Sequence, residues 1–168
     1  MNMKKLLVII LSLLSVCCYS AVRFNINTEL EVFASRSTTP GKKMVRVVAE
    51  GASADKAIQQ AMCDAIVALT FRGAYADGEM EAIPPILIDG VEQYYAHKKE
   101  FNKFFKKKNY LNYVSRVNST YPSGSNNIKT STGRRVQILL IVDWIGLANY
   151  YKSLGYKTAT SNLTDFKF

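Results

Sequence analysis

The sequence predicts an α+β fold: an antiparallel sheet of about four strands, in the order β-β-α-α-β-β-α, with helices packed mainly on one face. Strand-like segments occur in pairs near both ends of the chain, which favours hairpins over single strands alternating with helices. A long alanine-rich segment without glycine or proline lies between the pairs and predicts a helix that can approach a sheet closely. The last strand-like segment is apolar on both faces near its middle, which predicts a central position.

The first predicted hairpin joins residues 22–32 to residues 44–50. Residues 22–32 alternate strictly between apolar and polar side chains, the pattern of a half-buried strand. Residues 44–50 are rich in β-branched side chains, and Pro40-Gly41 between the two segments is a turn signal. We therefore expect the two segments to pair antiparallel across a long loop.

Residues 54–70 form the longest predicted helix. Ser53 is a suitable N-cap, Asp55 lies where the helix dipole favours an acid, and Gly73 is a C-terminal stop. Apolar side chains and alanines recur through it at helical spacing, namely Ile58, Met62, Ile66 and Leu69 beside Ala57, Ala61, Ala65 and Ala68.

The second half of the chain is predicted from the same kinds of pattern. Residues 74–90 contain prolines and glycines and are expected to be a loop that partly covers core, and residues 91–107 form a second helix. Residues 110–118 alternate as a third strand, and residues 119–133 are expected to be a polar, mobile loop. Residues 134–145 form the strongest strand, which a short helix from about residue 146 follows.

Residues 1–20 have the layout of a secretory signal peptide: two lysines, an apolar run over residues 6–16, then small and polar residues. The run is shorter than the roughly 20 apolar residues of a membrane span. Cleavage after Ser20 would leave residues 21–156 as a single α+β domain and residues 157–168 as a polar C-terminal tail. We therefore expect an exported protein of the periplasm or the outer-membrane periphery.

A lipoprotein signal is the alternative to a cleaved leader. Residues 14–17, Leu-Ser-Val-Cys, approach a lipobox that would place lipid on Cys17, but Val16 stands where that motif has Gly, Ala or Ser. Cleavage after Ser20 is therefore preferred to lipidation. It would leave Cys63 as a lone cysteine, which cannot form an internal disulfide.

The sequence has few patterns that indicate chemistry. His97 is the single histidine, and Cys63 lies inside the alanine-rich helix, where a free thiol packs as a small hydrophobic group. No spacing matches a zinc site, a calcium loop or a glycine-rich phosphate loop. We therefore predict no catalytic residue, no cofactor and no metal site.

A basic segment is the most unusual surface that the sequence predicts. Six lysines surround a single acid, Glu100, with aromatic residues between them. The six are Lys98, Lys99, Lys103, Lys106, Lys107 and Lys108. Basic and aromatic residues together also occur in sites for single-stranded nucleic acid, but export argues against nucleic acid here. The segment predicts a surface for a polyanion or a protein partner, or else a solvated helix face above core aromatics.

One stretch resembles a known type of protein. The motif consists of a strand that ends at Glu50-Gly51, a helix with the four alanines named above, and a helix end at Phe71 to Gly73. It is similar to the strand and alanine-helix module of small exported envelope proteins of Gram-negative bacteria. Those proteins are envelope lipoproteins or flagellar or curli accessory proteins. The resemblance spans residues 44–156 and implies a non-enzymatic envelope component. It supplies no catalytic residue.

These observations predict a non-enzymatic, exported accessory protein of the cell envelope that acts through protein–protein interaction. The expected partner is another envelope protein, and the oligomeric state stays open. The alternative is a peripheral binder of anionic lipid or glycan through the basic segment. A small exported hydrolase is the third hypothesis, and it requires Glu79 with Glu81, or Asp64 with Asp143, to converge in a cleft.

Overall fold

The computed structural model describes residues 22–37, 39–118 and 121–159, and it confirms an α+β fold with an open antiparallel sheet. The predicted signal peptide and nearly all of the predicted tail lie outside these residues. The strands are β1 (Glu31–Ser35), β2 (Lys42–Gly51), β3 (Val114–Arg116), β4 (Asn127–Lys129) and β5 (Arg134–Asp143). The helices are α1 (Ala54–Phe71), α2 (Gly90–Ala96), α3 (Lys98–Lys106) and α4 (Trp144–Ser153), with 3₁₀ helices at Asn109–Tyr113 and Gly124–Asn126.

β5 is the central strand, as its sequence predicts. β2 pairs antiparallel with it along its whole length, in a register that places Val45 opposite Leu140 and Val47 opposite Ile138. β3 and β4 pair with the other edge of β5, one after the other. β1 pairs antiparallel with β2, which confirms the predicted hairpin.

The helix α1 covers one face of the sheet at close range. Ala57, Ala61 and Ala65 are completely buried, and α1 contacts both β2 and β5. Gly51 makes the sharp connection from β2 to α1, because a Cβ there would lie 2.3 Å from the backbone nitrogen of Ala57. The N-cap is confirmed, since the Oγ of Ser53 accepts a hydrogen bond from the backbone of Lys56.

The predicted strand over residues 22–32 is wrong for most of its length. Only its last two residues belong to β1, which begins at Glu31, and residues 22–30 run as an irregular segment along the helix layer. The backbone nitrogen of Arg23 donates to Gln60 Oε1, and Gln60 Nε2 donates back to the carbonyl of Arg23. Side chains of α1 therefore satisfy backbone groups that a neighbouring strand would otherwise satisfy.

The alternation in this segment has a different origin, an aromatic core beside α1. Phe24 stacks on Phe105 of α3 with ring centroids 3.9 Å apart, and its edge contacts Tyr94 of α2. Phe71 at the end of α1 contacts Phe101 with centroids 5.1 Å apart. The apolar side of the segment therefore packs on helices, and period-two spacing arises without a sheet.

Three further predicted elements need correction. The second helix is two helices, because His97 leaves the helical conformation between α2 and α3. The predicted strand over 110–118 begins with a 3₁₀ helix, in which Tyr110 is buried, so β3 is only three residues long. The predicted polar loop 119–133 contains β4, a fifth strand, whose pairing with β5 no local pattern indicated.

The second face of the sheet is open, although the central strand is apolar on both sides. Leu139 is 39% exposed, while its neighbour Leu140 on the helix-covered face is fully buried. The register places six partly exposed side chains together on this outer sheet face. They are Phe33, Met44, Arg46, Val48, Leu139 and Ile141.

Adjacent leucines of β5 should therefore respond in opposite ways to a charge. Leu140→Asp should prevent folding, because it buries an unpaired carboxylate. Leu139→Asp should leave the fold intact and change the free energy of unfolding by about 1 kcal/mol or less. Circular dichroism and urea unfolding of both variants measure this. A Leu140→Asp protein with the wild-type melting temperature would contradict the assignment of the buried face.

Candidate functional site

Helix α3 presents the predicted lysines on a rigid apolar base. Phe101, Phe104 and Phe105 are buried on one side of it. Phe104 stacks on Tyr150 of α4 with centroids 5.2 Å apart, and Phe101 contacts Tyr151 at 5.8 Å. Together with the contacts of Phe101 to Phe71 of α1 and of Phe105 to Phe24, these fix the orientation of the helix.

All six lysines of the predicted site are exposed. Successive residues of an α-helix turn by about 100°, so Lys99, Lys103 and Lys106 lie together, opposite the buried phenylalanines. Lys98 flanks them at the start of α3, and Lys107 and Lys108 follow its end. We call these six residues the basic surface: Lys98, Lys99, Lys103, Lys106, Lys107 and Lys108.

The charge of the basic surface is not neutralised inside the described part of the chain. The ion pairs found there join Arg46 to Asp77 and Arg135 to Glu31, and neither involves one of these lysines. Glu100, the acid of α3, lies near enough to Tyr156 to help raise the pKa of that phenol, after the larger effect of burial. The lysine cluster is therefore a positive surface whose counter-charge must come from outside it.

His97 lies exposed beside a tyrosine ring, and Cys63 is buried inside a helix. His97 ends α2, is exposed, and lies with its ring centroid 4.9 Å from that of Tyr156. Cys63 is buried in α1, and burial, with a smaller contribution from Asp64, raises the pKa of its thiol far above the ordinary value. A thiol held in the neutral form is a poor nucleophile at ordinary pH.

Asp64 and Asp143, one of the two pairs that the hydrolase hypothesis requires, bind to separate partners. Asp143 caps α4, because its Oδ1 accepts from the backbone nitrogen of Gly146 at 3.0 Å. Asp64 accepts from Gln60 Nε2 at 2.8 Å within α1. Glu79 and Glu81 are both exposed in the loop that follows α1.

A polar cleft beside Asp64 was not anticipated from the sequence. It has a volume of about 580 Å³ and lies between residues 23–31, β2 and α1. Asp64 lines it together with Glu50, Arg135 and Gln60. Burial raises the pKa of Asp64 to about 6, against a smaller lowering by the Gln60 hydrogen bond. No sequence pattern indicates this cleft, because the alternation in residues 23–31 predicts a strand of the sheet instead of a segment along α1.

The outer sheet face has a groove that the sequence also did not indicate. The groove encloses about 460 Å³ between Arg46, Leu139 and the segment 121–126. The guanidinium of Arg46 lies 4.4 Å from the ring centroid of Phe33 and donates to Asp77 Oδ2 through Nε and Nη2, at 3.0 and 2.8 Å. Its Nη1 donates to Gln137 Oε1 at 3.2 Å. Asp77 and Gln137 therefore hold the guanidinium of Arg46 over the ring of Phe33.

The described residues contain neither a metal-binding cluster nor a membrane-spanning helix. Among them, no three His, Cys, Asp or Glu side chains lie close enough together to hold a metal ion. In the same part of the chain, no helix combines the length and the apolar character that crossing a membrane requires.

Comparison with known proteins gives no relative. No protein family model, no curated protein and no solved structure matches the chain. The resemblance to envelope proteins therefore stays a prediction, and the function has to be argued from the surfaces of this molecule.

The buried carboxyl of Asp64 should make stability depend on pH. Its pKa in the folded protein, about 6, lies above its ordinary value of 3.8. Below pH 3.8 the carboxyl is mostly protonated in both states and costs nothing; the free energy of unfolding then falls as the pH rises from 3.8 to about 6, and it levels off above that. Asp64→Asn keeps an oxygen acceptor for Gln60 and should raise the free energy of unfolding at about pH 8 by on the order of 2 kcal/mol.

Urea unfolding at several pH values measures this effect. The gain from Asp64→Asn should shrink towards zero at about pH 3.5, where the carboxyl is protonated in both states. The exposed Glu79→Gln is the matched control and should show no such dependence. An Asp64→Asn variant that is less stable than wild type at high pH would mean that the carboxylate stabilises the fold.

Proposed function

We propose that this protein is a non-enzymatic, exported component of the cell envelope that binds another envelope protein through the outer sheet face. The observation that carries the proposal is a group of apolar side chains in the middle of that open face, Phe33, Met44, Val48, Leu139 and Ile141. In an antiparallel sheet with one solvated face, polar residues normally fill that face. Here Met44 lies opposite Ile141, and Arg46 lies opposite Leu139, in adjacent pairs of β2 and β5.

The surroundings of this face suit a protein partner. Contiguous apolar surface with a polar border is typical of protein interfaces, and arginine is enriched at their centres. Arg46 lies between Phe33 and Leu139 on this face and is paired there with Asp77, and the Arg135–Glu31 ion pair lies at the border of the face. The groove beside Leu139 offers a recess for a side chain of the partner.

The local roles of the chemistry-bearing residues support a binding function over catalysis. Asp143 caps a helix, Asp64 bonds to Gln60, and the Cys63 thiol is buried and neutral. Asp143 thus has a role in a helix cap, and the Cys63 thiol has one in packing. The export that the first twenty residues predict places the partner in the periplasm or at the outer membrane.

Site-specific photo-cross-linking tests this interface in the native envelope. A photoreactive residue at Leu139 should give a discrete adduct with one other protein, whereas the same residue at the exposed Glu81 should not. Mass spectrometry identifies the adduct. The purified partner should then bind wild type and bind Leu139→Asp at least about tenfold more weakly, because a charge is placed in the apolar centre.

Two results would refute the proposal. No adduct from Leu139 in intact envelopes would show that the face is simply solvated. An adduct with a second copy of this chain would replace the proposed partner by self-association. Circular dichroism of Leu139→Asp serves as the control that lost binding does not reflect lost folding.

A further inference from the structure

The basic surface differs from an ordinary solvated helix face, because exposed apolar side chains lie near both of its ends. Tyr95 and Val91 on α2 are 56% and 39% exposed and precede Lys98 by three and seven residues. Leu111, which follows Lys108 in the 3₁₀ helix, is 39% exposed. Each of these side chains has a neighbour that is buried, Tyr94 and Tyr110 among them, so the local fold holds them outward.

We propose that the basic surface and its apolar flanks, Val91, Tyr95 and Leu111, form a docking site for an anionic phospholipid bilayer. The surface of an anionic bilayer can bind the lysines and the apolar side chains at the same time. Lysine ammonium groups meet the phosphates, while tyrosine rings and aliphatic side chains enter the level of the headgroups and the acyl boundary. An acidic polysaccharide would form ion pairs with the lysines, but it would leave the three apolar side chains exposed to water.

Charge complementarity points to the same occupant. The whole chain has a net charge of +9, which becomes +7 without the two lysines of residues 1–20, and the lysines of the basic surface have no ion-pair partner among the described residues. A flat, diffuse layer of negative charge can engage Lys99, Lys103 and Lys106 together, because they share one side of α3. No specific pocket is needed for such binding, and none of the clefts described above is lined by a residue of the basic surface.

The rigid base of α3 favours this interaction over one that folds a flexible segment. Phe101, Phe104 and Phe105 hold the helix on the core before any lipid is present. Binding therefore orders only lysine side chains and not the backbone, which lowers its entropic cost. This inference does not rest on the proposed function, because the outer sheet face contains none of these residues.

Vesicle co-sedimentation of the exported protein, purified from cells, tests the proposal. Vesicles of phosphatidylglycerol and phosphatidylethanolamine should bind it more tightly than vesicles of phosphatidylcholine alone. The phosphatidylcholine arm sets the baseline for any binding through the N-terminus of the chain. Changing Lys99, Lys103 and Lys106 to Gln should weaken the anionic binding on the order of 100-fold, at about five-fold per lysine.

Matched variants separate the surface from net charge. Lys42, Lys129 and Arg134, changed together to Gln, remove the same charge from exposed strand positions and should leave vesicle binding unchanged. Lys99, Lys103 and Lys106 changed to Arg keep the charge and should bind like wild type. About 1 M salt, which shortens the Debye length to about 3 Å, should remove most of the anionic preference.

Variants of the apolar flanks distinguish binding to lipid from binding to a soluble polyanion. Tyr95→Ser with Leu111→Ser should weaken vesicle binding roughly tenfold, because the lost apolar contact is worth about a kilocalorie or more. The same variant should bind dextran sulfate as wild type does. Leu139→Asp, in the outer sheet face, should bind vesicles normally, so failure of the proposed function and failure of this inference are distinguishable.

Each remaining outcome overturns the proposal. Equal binding to phosphatidylcholine and to anionic vesicles would show that the charge of the basic surface does not contribute to binding. Binding to dextran sulfate without preference for anionic vesicles would make the occupant a soluble polyanion. Vesicle binding that the glutamine variant retains would show that these lysines only keep the helix solvated.

Discussion

The close approach of α1 to the sheet is the constraint on which the rest of the structure depends. Fully buried alanines allow the helix axis to lie near β2 and β5, and Gly51 permits the sharp connection that starts it. Larger side chains at these positions would move the helix outward and open the core. The position of α1 also fixes the position of Phe71 at its end. Tyr94 of α2 and Phe101 of α3 pack against the ring of Phe71.

The aromatic core transmits this constraint to the molecular surface. Phe71, Phe101 and Phe105 interlock with Phe24 of the N-terminal segment, so α3 has one orientation and the lysines have one outward direction. The outer sheet face arises differently, from the pairing of β2 with β5, and among the described residues the segment 121–126 borders only part of it. The two surfaces belong to different layers, and a protein that uses both would hold its partner at a membrane surface.

Local sequence determined those elements whose stabilising contacts are local or strictly periodic. The span of α1, its Ser53 cap, the β1–β2 hairpin and the central position of β5 all follow from caps, turn residues and hydrophobic period. The exposure of the basic surface was predicted in the same way, because helical spacing separates the lysines from the phenylalanines. Its occupant and the export of the chain remain proposals.

Only the tertiary structure decided the features that depend on a distant partner. Period two in residues 22–30 indicated a strand, but the side chains of Gln60 and Arg72 take up backbone groups there and Phe24 packs on helices. The cleft at Asp64 exists because of that segment, and the groove at Arg46 depends on contacts across 31 and 91 residues of chain. A sequence pattern reports that a side chain is covered, and the fold alone determines what covers it.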